Sequence, residues 1–381
     1  MIPTKLAFAL CSVFINFTHI NTQSEMVRKI FRYLVILIAF LLVLFGLFIA
    51  YASLNYYNPE PKLSVWASES PDTISVGDTL TALTWNIGYA GLGDNMDFFY
   101  DEGTKVRDTK ERTLQNLDSI TAFLDQHKQR NFFFLQEVDF DSHRTYGMNQ
   151  TATIVKALDY QSSVGYNYNA FFVPIPLSNP MGGVLSGVVT YSQSVPEKSF
   201  RYQYPGQFSW PVRLFNLRRC MLVNRYPTNN GKELVLVNTH NSAFDDGSLK
   251  KQEMDFLKQF VVGEYEKENY VVVGGDWNQS PPSFPLTTFG DNYAVPFFKL
   301  TNIGESFMPI GWTWAYDSTE PTNRYLNEPY TPGRNYTGIL DFFLLSPNVR
   351  MVNCTAENLN FKHSDHNPVL ISFELIPEKG L

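Results

Sequence analysis

Residues 80–381 read as one α/β domain with mixed sheets. Short runs of Val, Ile, Leu and Phe alternate with longer stretches whose apolar residues recur every three or four positions. These are the signatures of buried strands and amphipathic helices. Hydrophobic residues make up 44% of the chain and charged residues 18%, which supplies a sizeable core and argues against disorder. A separate element precedes the domain, because no charged residue occurs from Tyr33 to Pro59.

The N-terminal part divides into three. Residues 1–25 precede Met26-Val-Arg-Lys-Ile, which has the form of a basic leader, so Met26 is expected to be the true start and 1–25 a non-native or disordered extension. Residues 26–54 form the second part. Tyr33 to Ala50 reads YLVILIAFLLVLFGLFIA, and with Tyr51 to Leu54 it reaches the about 20 apolar residues that a bilayer requires. Arg28, Lys29 and Arg32 on its N-terminal side predict a cytoplasmic N-terminus and a domain outside the cytoplasm. Ala50-Tyr51-Ala52 has the form of a signal-cleavage site, which leaves secretion or periplasmic release as the alternative. The apolar run exceeds the usual signal core of about 7–15 residues, which favours an uncleaved anchor. Residues 55–79, rich in Asn, Pro, Ser, Glu and Asp, read as a linker.

The domain elements follow in order. Strands are expected at Leu80–Trp85, Phe132–Leu135, Val184–Tyr191, Cys220–Val223, Leu234–Val237, Tyr270–Val273, Ile339–Leu345 and Val369–Phe373. Leu114, Leu117, Ile120 and Leu124 recur at helical spacing within 110–130. Met254, Leu257, Val261 and Tyr265 do so within 248–267. Cys220 and Cys354 are expected as free thiols, since no disulfide framework is visible. The net charge is −7, and because 1–32 is basic the remainder carries about −10. Such a domain repels polyanions unless it holds a local basic groove or bound cations, which disfavours a dedicated nucleic-acid enzyme.

Six expected strand ends carry polar residues suited to metal or phosphate chemistry: Asn86; Gln136-Glu137; Thr239-His240; Gly275-Asp276-Trp277-Asn278; Leu340-Asp341-Phe342; and Ser364-Asp365-His366-Asn367-Pro368. Each alone is most simply a turn, a cap or a satisfied core group. The full set in this order is harder to ascribe to chance. No Cys/His cluster has zinc spacing. The aromatic loop Phe307-Met-Pro-Ile-Gly-Trp-Thr-Trp could touch lipid or stack on a base, although packing is the commoner role of such residues.

The ordered set resembles the endonuclease/exonuclease/phosphatase superfamily of deoxyribonuclease-like, sphingomyelinase-like and inositol-phosphatase-like enzymes. The resemblance covers roughly 80–375, and GDWN and SDHNP are its most specific elements. Residues 280–337 have no counterpart among its marks. The resemblance implies a four-layer α/β sandwich, two packed mixed β-sheets flanked by helices, and hydrolysis of a phosphoester by activated water. It implies Mg²⁺, with Mn²⁺ as the alternative, held by Glu137 with the amide oxygen of Asn86 and with Asp365. It implies Asp276 orienting the water, Asn278 donating to a phosphoryl oxygen, and His366 as base with its tautomer fixed by Asp341. His240 would face a non-bridging oxygen or the leaving group. Three functions are thus open: a membrane-anchored phosphoesterase acting on a lipid, nucleotide or other small phosphoester; an extracytoplasmic nuclease; and an inactive binding module. The intact constellation argues against the last.

Overall fold

A computed structural model describes residues 25–243, 247–290 and 300–377. The extension expected over 1–25 lies outside the described residues except for Glu25. Helix α1 (Glu25–Leu54) starts there and is, by length and composition, apolar enough to cross a membrane. It belongs to one compact unit that ends at Asn55, and Tyr56–Leu381 forms a second.

In the second unit the strands are β1 (Lys62–Ala67), β2 (Thr79–Asn86), β3 (Phe132–Asp139), β4 (Gln161–Val173), β5 (Gly182–Ser192), β6 (Lys198–Gln203), β7 (Cys220–Pro227) and β8 (Glu233–His240). They continue with β9 (Tyr270–Asp276), β10 (Thr313–Ala315), β11 (Asn323–Arg324), β12 (Thr337–Gly338), β13 (Asp341–Leu345), β14 (Val349–Ala356) and β15 (Val369–Leu375). Helices α2 (Lys110–Gln126), α3 (Gln150–Leu158) and α4 (Ser248–Tyr265) cover the sheets. One large sheet has the order β1-β6-β7-β8-β9-β13-β10, the other large sheet β14-β15-β2-β3-β5-β4, and β11 pairs with β12 in a small third.

Three apolar layers hold this together. Leu80, Ala82, Phe132 and Phe134 of one sheet meet Leu234, Leu236, Val272 and Phe343 of the other. Leu117, Ile120 and Leu124 of α2 with Ile154 of α3 pack on the outer face of the first sheet. Met254, Leu257 and Val261 of α4 pack on the outer face of the second. Each helix stripe repeats every three or four residues, so one face is buried. Leu114 falls at the margin of its stripe and is exposed. The architecture is the expected four-layer sandwich.

Helix α3 and strands β1, β4, β6, β10, β11, β12 and β14 have no counterpart in the sequence reading. The segment 55–79, expected as a linker, contains β1, which pairs antiparallel with β6 from Lys62↔Tyr202 to Ala67↔Lys198. Its side chains are largely exposed, as on a sheet edge, so it lacks the apolar alternation that betrays a strand. Strand β4 was missed because its sequence, QSSVGYNYNAFFV, intersperses Ser, Gly and Asn among its apolar residues. Cys220 and Cys354 are free, the first buried and the second half-buried.

The topology gathers strand ends on one side. β2 runs parallel to β3 with α2 crossing between them, and β8 runs parallel to β9 with α4 crossing between them. Asn86 is registered with Gln136, and His240 with Asp276. Antiparallel β13 begins opposite Asp276, at Asp341. Beneath these ends an amide pair bridges the sheets. Gln136 Nε2 donates to Asn238 Oδ1 at 2.8 Å, and Asn238 Nδ2 donates to the carbonyls of Leu135 and Val189 at 3.2 and 3.0 Å. Both residues are fully buried. Removing one partner leaves buried polar groups unsatisfied, at about 1–3 kcal/mol each. We therefore expect Asn238→Leu to lower unfolding free energy by about 2–3 kcal/mol in urea titration. The Gln136→Leu/Asn238→Leu double variant should lose less than the sum of the two singles, and simple additivity would refute the pairing.

Candidate functional site

The strand ends open into a cavity of about 460 Å³. Seven of the eight expected site residues line it: Asn86, Glu137, His240, Asp276, Asn278, Asp365 and His366. The eighth, Asp341, lies behind His366 and accepts from its Nδ1 at 2.7 Å.

Local backbone explains how these side chains reach one space. Glu137 has φ +54°, at a bulge where β3 slips register against β5 between Leu135 and Val138. A left-handed residue inside a strand turns its side chain out of the pleat, at a conformational cost of about 1–3 kcal/mol. Asn278 has φ +50°, as the chain leaves β9. Gly275 is required just before it, because a Cβ there would lie 1.9 Å from the Thr239 carbonyl oxygen. The Gly-Gly pair thus sits inside β9 and lets it close on β8. Trp277 serves packing: its ring stacks on Phe342 at 5.2 Å and its Nε1 donates to the Phe342 carbonyl at 3.0 Å.

The hydrogen bonds define the site's chemistry. Asp276 Oδ1 accepts from the Asn278 backbone N–H at 2.9 Å, and its Oδ2 from Asn86 Nδ2 at 3.1 Å. His240 Nε2 is 3.4 Å from Asp276 Oδ2 and 3.8 Å from Glu137 Oε1. His366 Nε2 faces Asn323 Nδ2 at 3.0 Å, Asp276 Oδ2 at 3.8 Å and Asp365 Oδ2 at 3.9 Å. Burial opposes a charge on His366. The carboxylates of Asp341, Asp365 and Asp276, with the hydrogen bond to Asp341, outweigh it and hold the ring up at about 10. His240 has the opposite balance: burial first, then Arg219, His366 and Arg144, push it well below its ordinary range, so it is neutral. Burial and then Asp365 raise Glu137, while Arg144, Arg219 and His366 pull it back.

Two expectations differ in detail. Asn86 was expected to offer its amide oxygen to a cation. Here that oxygen accepts from the Gly88 N–H at 3.0 Å, and the amide nitrogen turns to the carboxylates of Asp276 and Glu137. Facing carboxylates attract the NH₂ end of an amide, while the Gly88 N–H takes the acceptor end. Asn278 Nδ2 is likewise engaged, by the Asn241 carbonyl at 2.8 Å and Asp276 Oδ2 at 3.3 Å.

Several lining residues were missed. Arg219 and Arg144 enter the cavity, and the Arg144 guanidinium is held by both oxygens of buried Asp139, at 3.0 and 2.8 Å. Asn323 and Arg324 come from the stretch 280–337 that had no recognisable mark. Arg324 is buried and donates through Nη2 to the Gly93 and Met96 carbonyls at 2.7 and 3.2 Å, while its backbone N–H binds the Asp365 carbonyl at 3.0 Å. It thereby ties that stretch to the loop after β2 and to Asp365. The adjacent arginines 218 and 219 before β7 were the one readable signal. The aromatic loop packs instead of presenting a stacking platform: Phe307, Trp312 and Trp314 all rest on the α4 side of the core.

The donor set suits a hard divalent cation. Glu137 and Asp365 are oxygen donors beside one cavity, and Asp365 adds to the pressure that burial places on Glu137. A positive charge between them would relieve that pressure. A tighter grouping also exists: ligand atoms of Asp276, Asp341 and His366 lie within 4.8 Å of one another. The 2.7 Å hydrogen bond between Asp341 and His366 already commits two members of that group to each other.

Fold and site together define a layered α/β hydrolase of phosphoester bonds. The profile of the endonuclease/exonuclease/phosphatase family matches residues 83–366, and the chain belongs to that family. No curated protein matches the chain. Among solved structures, an endonuclease/exonuclease/phosphatase from Beutenbergia cavernae DSM 12333 is similar at 18% identity and TM-score 0.54, over 78% of this chain and 72% of its own. One from Bacteroides vulgatus gives 17% and 0.48, over 78% and 99%. ANGEL2, described as a 2′,3′-cyclic phosphatase, gives 14% and 0.47, over 78% and 95%.

Proposed function

We propose that this chain is a membrane-anchored, metal-dependent phosphoesterase that hydrolyses a small or lipid-borne phosphoester with an activated water. The observation that carries the reading is the convergence of Glu137, Asp276 and Asp365 around the buried His366–Asp341 pair. Asp341 holds the ring so that Nε2 meets the cavity. With a divalent cation beside the carboxylates that keep His366 charged, Nε2 would be free to take a proton from water, and Asp341 would stabilise the imidazolium so formed. Asp276, braced by the Asn278 backbone and Asn86, orients that water. Neutral His240 and the cation Arg219 flank the phosphoryl oxygens. Mg²⁺, or Mn²⁺ in its place, held by Glu137 and Asp365 with Asn86 beside them, supplies positive charge that offsets the phosphoryl anion and the carboxylates facing His366. The net charge of −7 disfavours the nuclease alternative.

The metal assignment is tested on the full chain with phospholipids, nucleotides and plasmid DNA. Chelator should abolish turnover and Mg²⁺ or Mn²⁺ restore it, while Glu137→Gln should need more metal and turn over more slowly. Unchanged kinetics in Glu137→Gln would sink the assignment, and DNA as the preferred substrate would replace the phosphoesterase reading by the nuclease one.

The proposed base and its orienting partner should act as a unit. His366→Ala is expected to lower kcat by about 10²–10⁴-fold. Adding Asp341→Asn should then cost little more, because Asp341 acts through the ring. Multiplying losses, or variants that lose only melting temperature, would count against the pair.

The anchor reading rests on α1 and on the basic residues Arg28, Lys29 and Arg32 before its apolar run. A reporter fused after Pro59 should read as extracytoplasmic and remain with the membrane fraction. Recovery of a mature chain beginning near Ser53 would favour release by cleavage instead.

A further inference from the structure

Two connections form one lip of the cavity and carry several apolar residues. The β4–β5 connection contributes Ile175 and Met181 to the lining, and the segment between β6 and β7 contributes Phe208, Val212 and Leu217. The second is tied to strand β4, which leads into the first, since Tyr168 Oη donates to the Phe215 carbonyl at 2.9 Å and the Arg218 N–H to the Asn167 carbonyl at 2.7 Å. Large apolar side chains also point outward from this lip. Leu177 is 86% exposed, Trp210 56%, Val212 49% and Ile175 41%. An exposed apolar cluster of this kind usually marks a surface that meets something.

Charge and connectivity say what it meets. From Tyr160 to Pro196 the sequence has no charged residue, and from Lys198 to Lys232 it has basic residues and no acidic one, in a chain of net charge −7. Protruding Leu and Trp on a lip that also carries Arg213 and Arg218 are the combination that seats in the interfacial layer of a bilayer: apolar groups enter below the headgroups, Trp favours the interface, and cations meet lipid phosphates. The chain also arrives here directly from its apolar helix. Tyr56 follows the last residue of α1 by two positions, a reach of about 7 Å at most. Tyr56 Oη donates to Gln207 Oε1 at 3.0 Å, Arg218 Nη2 donates to Asn58 Oδ1 at 3.3 Å, and the Arg213 guanidinium lies 5.6 Å from the Tyr56 ring. Residues 56–58, which open the second unit, are thus bound to this lip.

We propose that the lip formed by residues 174–181 and 206–218 docks on the lipid bilayer, so that the cavity opens toward the headgroup layer and takes its phosphoester from there. The inference rests on the hydrolase and anchor readings and adds the source of substrate to them. Side chains of 177 and 210 enter the interface, the arginines hold lipid phosphates, and a headgroup phosphoester reaches Arg219 and His240 without the lipid leaving its leaflet.

The test uses the full chain reconstituted into vesicles of phosphatidylcholine with phosphatidylglycerol. An environment-sensitive fluorophore is placed at Leu177→Cys, Trp210→Cys, Leu42→Cys within α1, and Met351→Cys on β14 of the other sheet. The parent chain treated with the same reagent gives the background from native thiols, and melting temperatures confirm folding. Leu177 is so exposed that its substitution should be structurally silent. Lipids carrying a quencher near the headgroup should quench 177 and 210 several-fold more than 351, while quenchers deep in the acyl region should reach 42. Quenching at 42 with none at 177 and 210 overturns docking and spares the anchor, and no quenching at any of these sites overturns both. Shielding of 177 and 210 that rises with protein concentration in detergent points to a second copy of the chain and also overturns the proposal. These readouts do not depend on turnover, so a failed hydrolysis assay would remove the hydrolase reading without moving them.

Discussion

Two sheets, each drawing strands from both ends of the chain, must meet face to face before any part of the site exists. Their contact is mostly a dry layer of Phe, Leu and Val, which is strong but unspecific in register. The amide pair Gln136–Asn238 adds direction, because a buried hydrogen bond tolerates little displacement. Gln136 directly precedes Glu137, and Asn238 lies two residues before His240. The clamp that fixes how one sheet sits on the other is therefore the same stretch that presents the carboxylate and the imidazole. Both lie where parallel strands end, so the crossovers through α2 and α4 free the loops beyond them to differ.

Strained backbone is part of this edge. Tyr89, Ala90, Glu137 and Asn278 have positive φ, and the first two lie on the loop that follows Asn86. Support surrounds them. Gln150 Nε2 donates to the Tyr89 carbonyl at 2.6 Å, and the Arg144 guanidinium lies 3.6 Å from the centre of the Tyr89 ring. Burying Arg144 against Asp139 does two things: the pair is neutral as a unit, and the guanidinium still moderates Glu137 across the cavity. Such over-determined support is what lets unfavourable backbone conformations persist.

The electrostatics of the cavity also divide between its floor and its lip. Carboxylates and imidazoles occupy the strand ends, whereas Arg219 and its neighbours stand at the start of β7. An acidic floor invites a cation, and a basic lip invites an anion. That ordering is what a phosphoester needs if it is to approach a negatively charged site in a protein that is itself acidic.

Much of this was legible in the sequence because the signals were local. A charge-free run of apolar residues reads as a membrane-length helix whatever surrounds it, and Leu117, Ile120 and Leu124 define a buried stripe by spacing alone. The order Asn86, Glu137, His240, Asp276, Asp341, His366 identified the family because each residue follows or begins an apolar strand. Three things needed the tertiary structure. Strand β1 is an edge whose pairing with β6 depends on partners far along the chain, so its own sequence looks like a linker. Arg324 is held by carbonyls more than two hundred positions away, such as that of Gly93, and Asn323 beside it meets His366. The orientation of the Asn86 amide was settled by competition between Gly88 and the carboxylates of Glu137 and Asp276 from two other strand ends, and no spacing encodes that. Sequence determined which chemical groups exist and which elements carry them. Only packing, through long-range register and buried hydrogen bonds, decided which groups face one another.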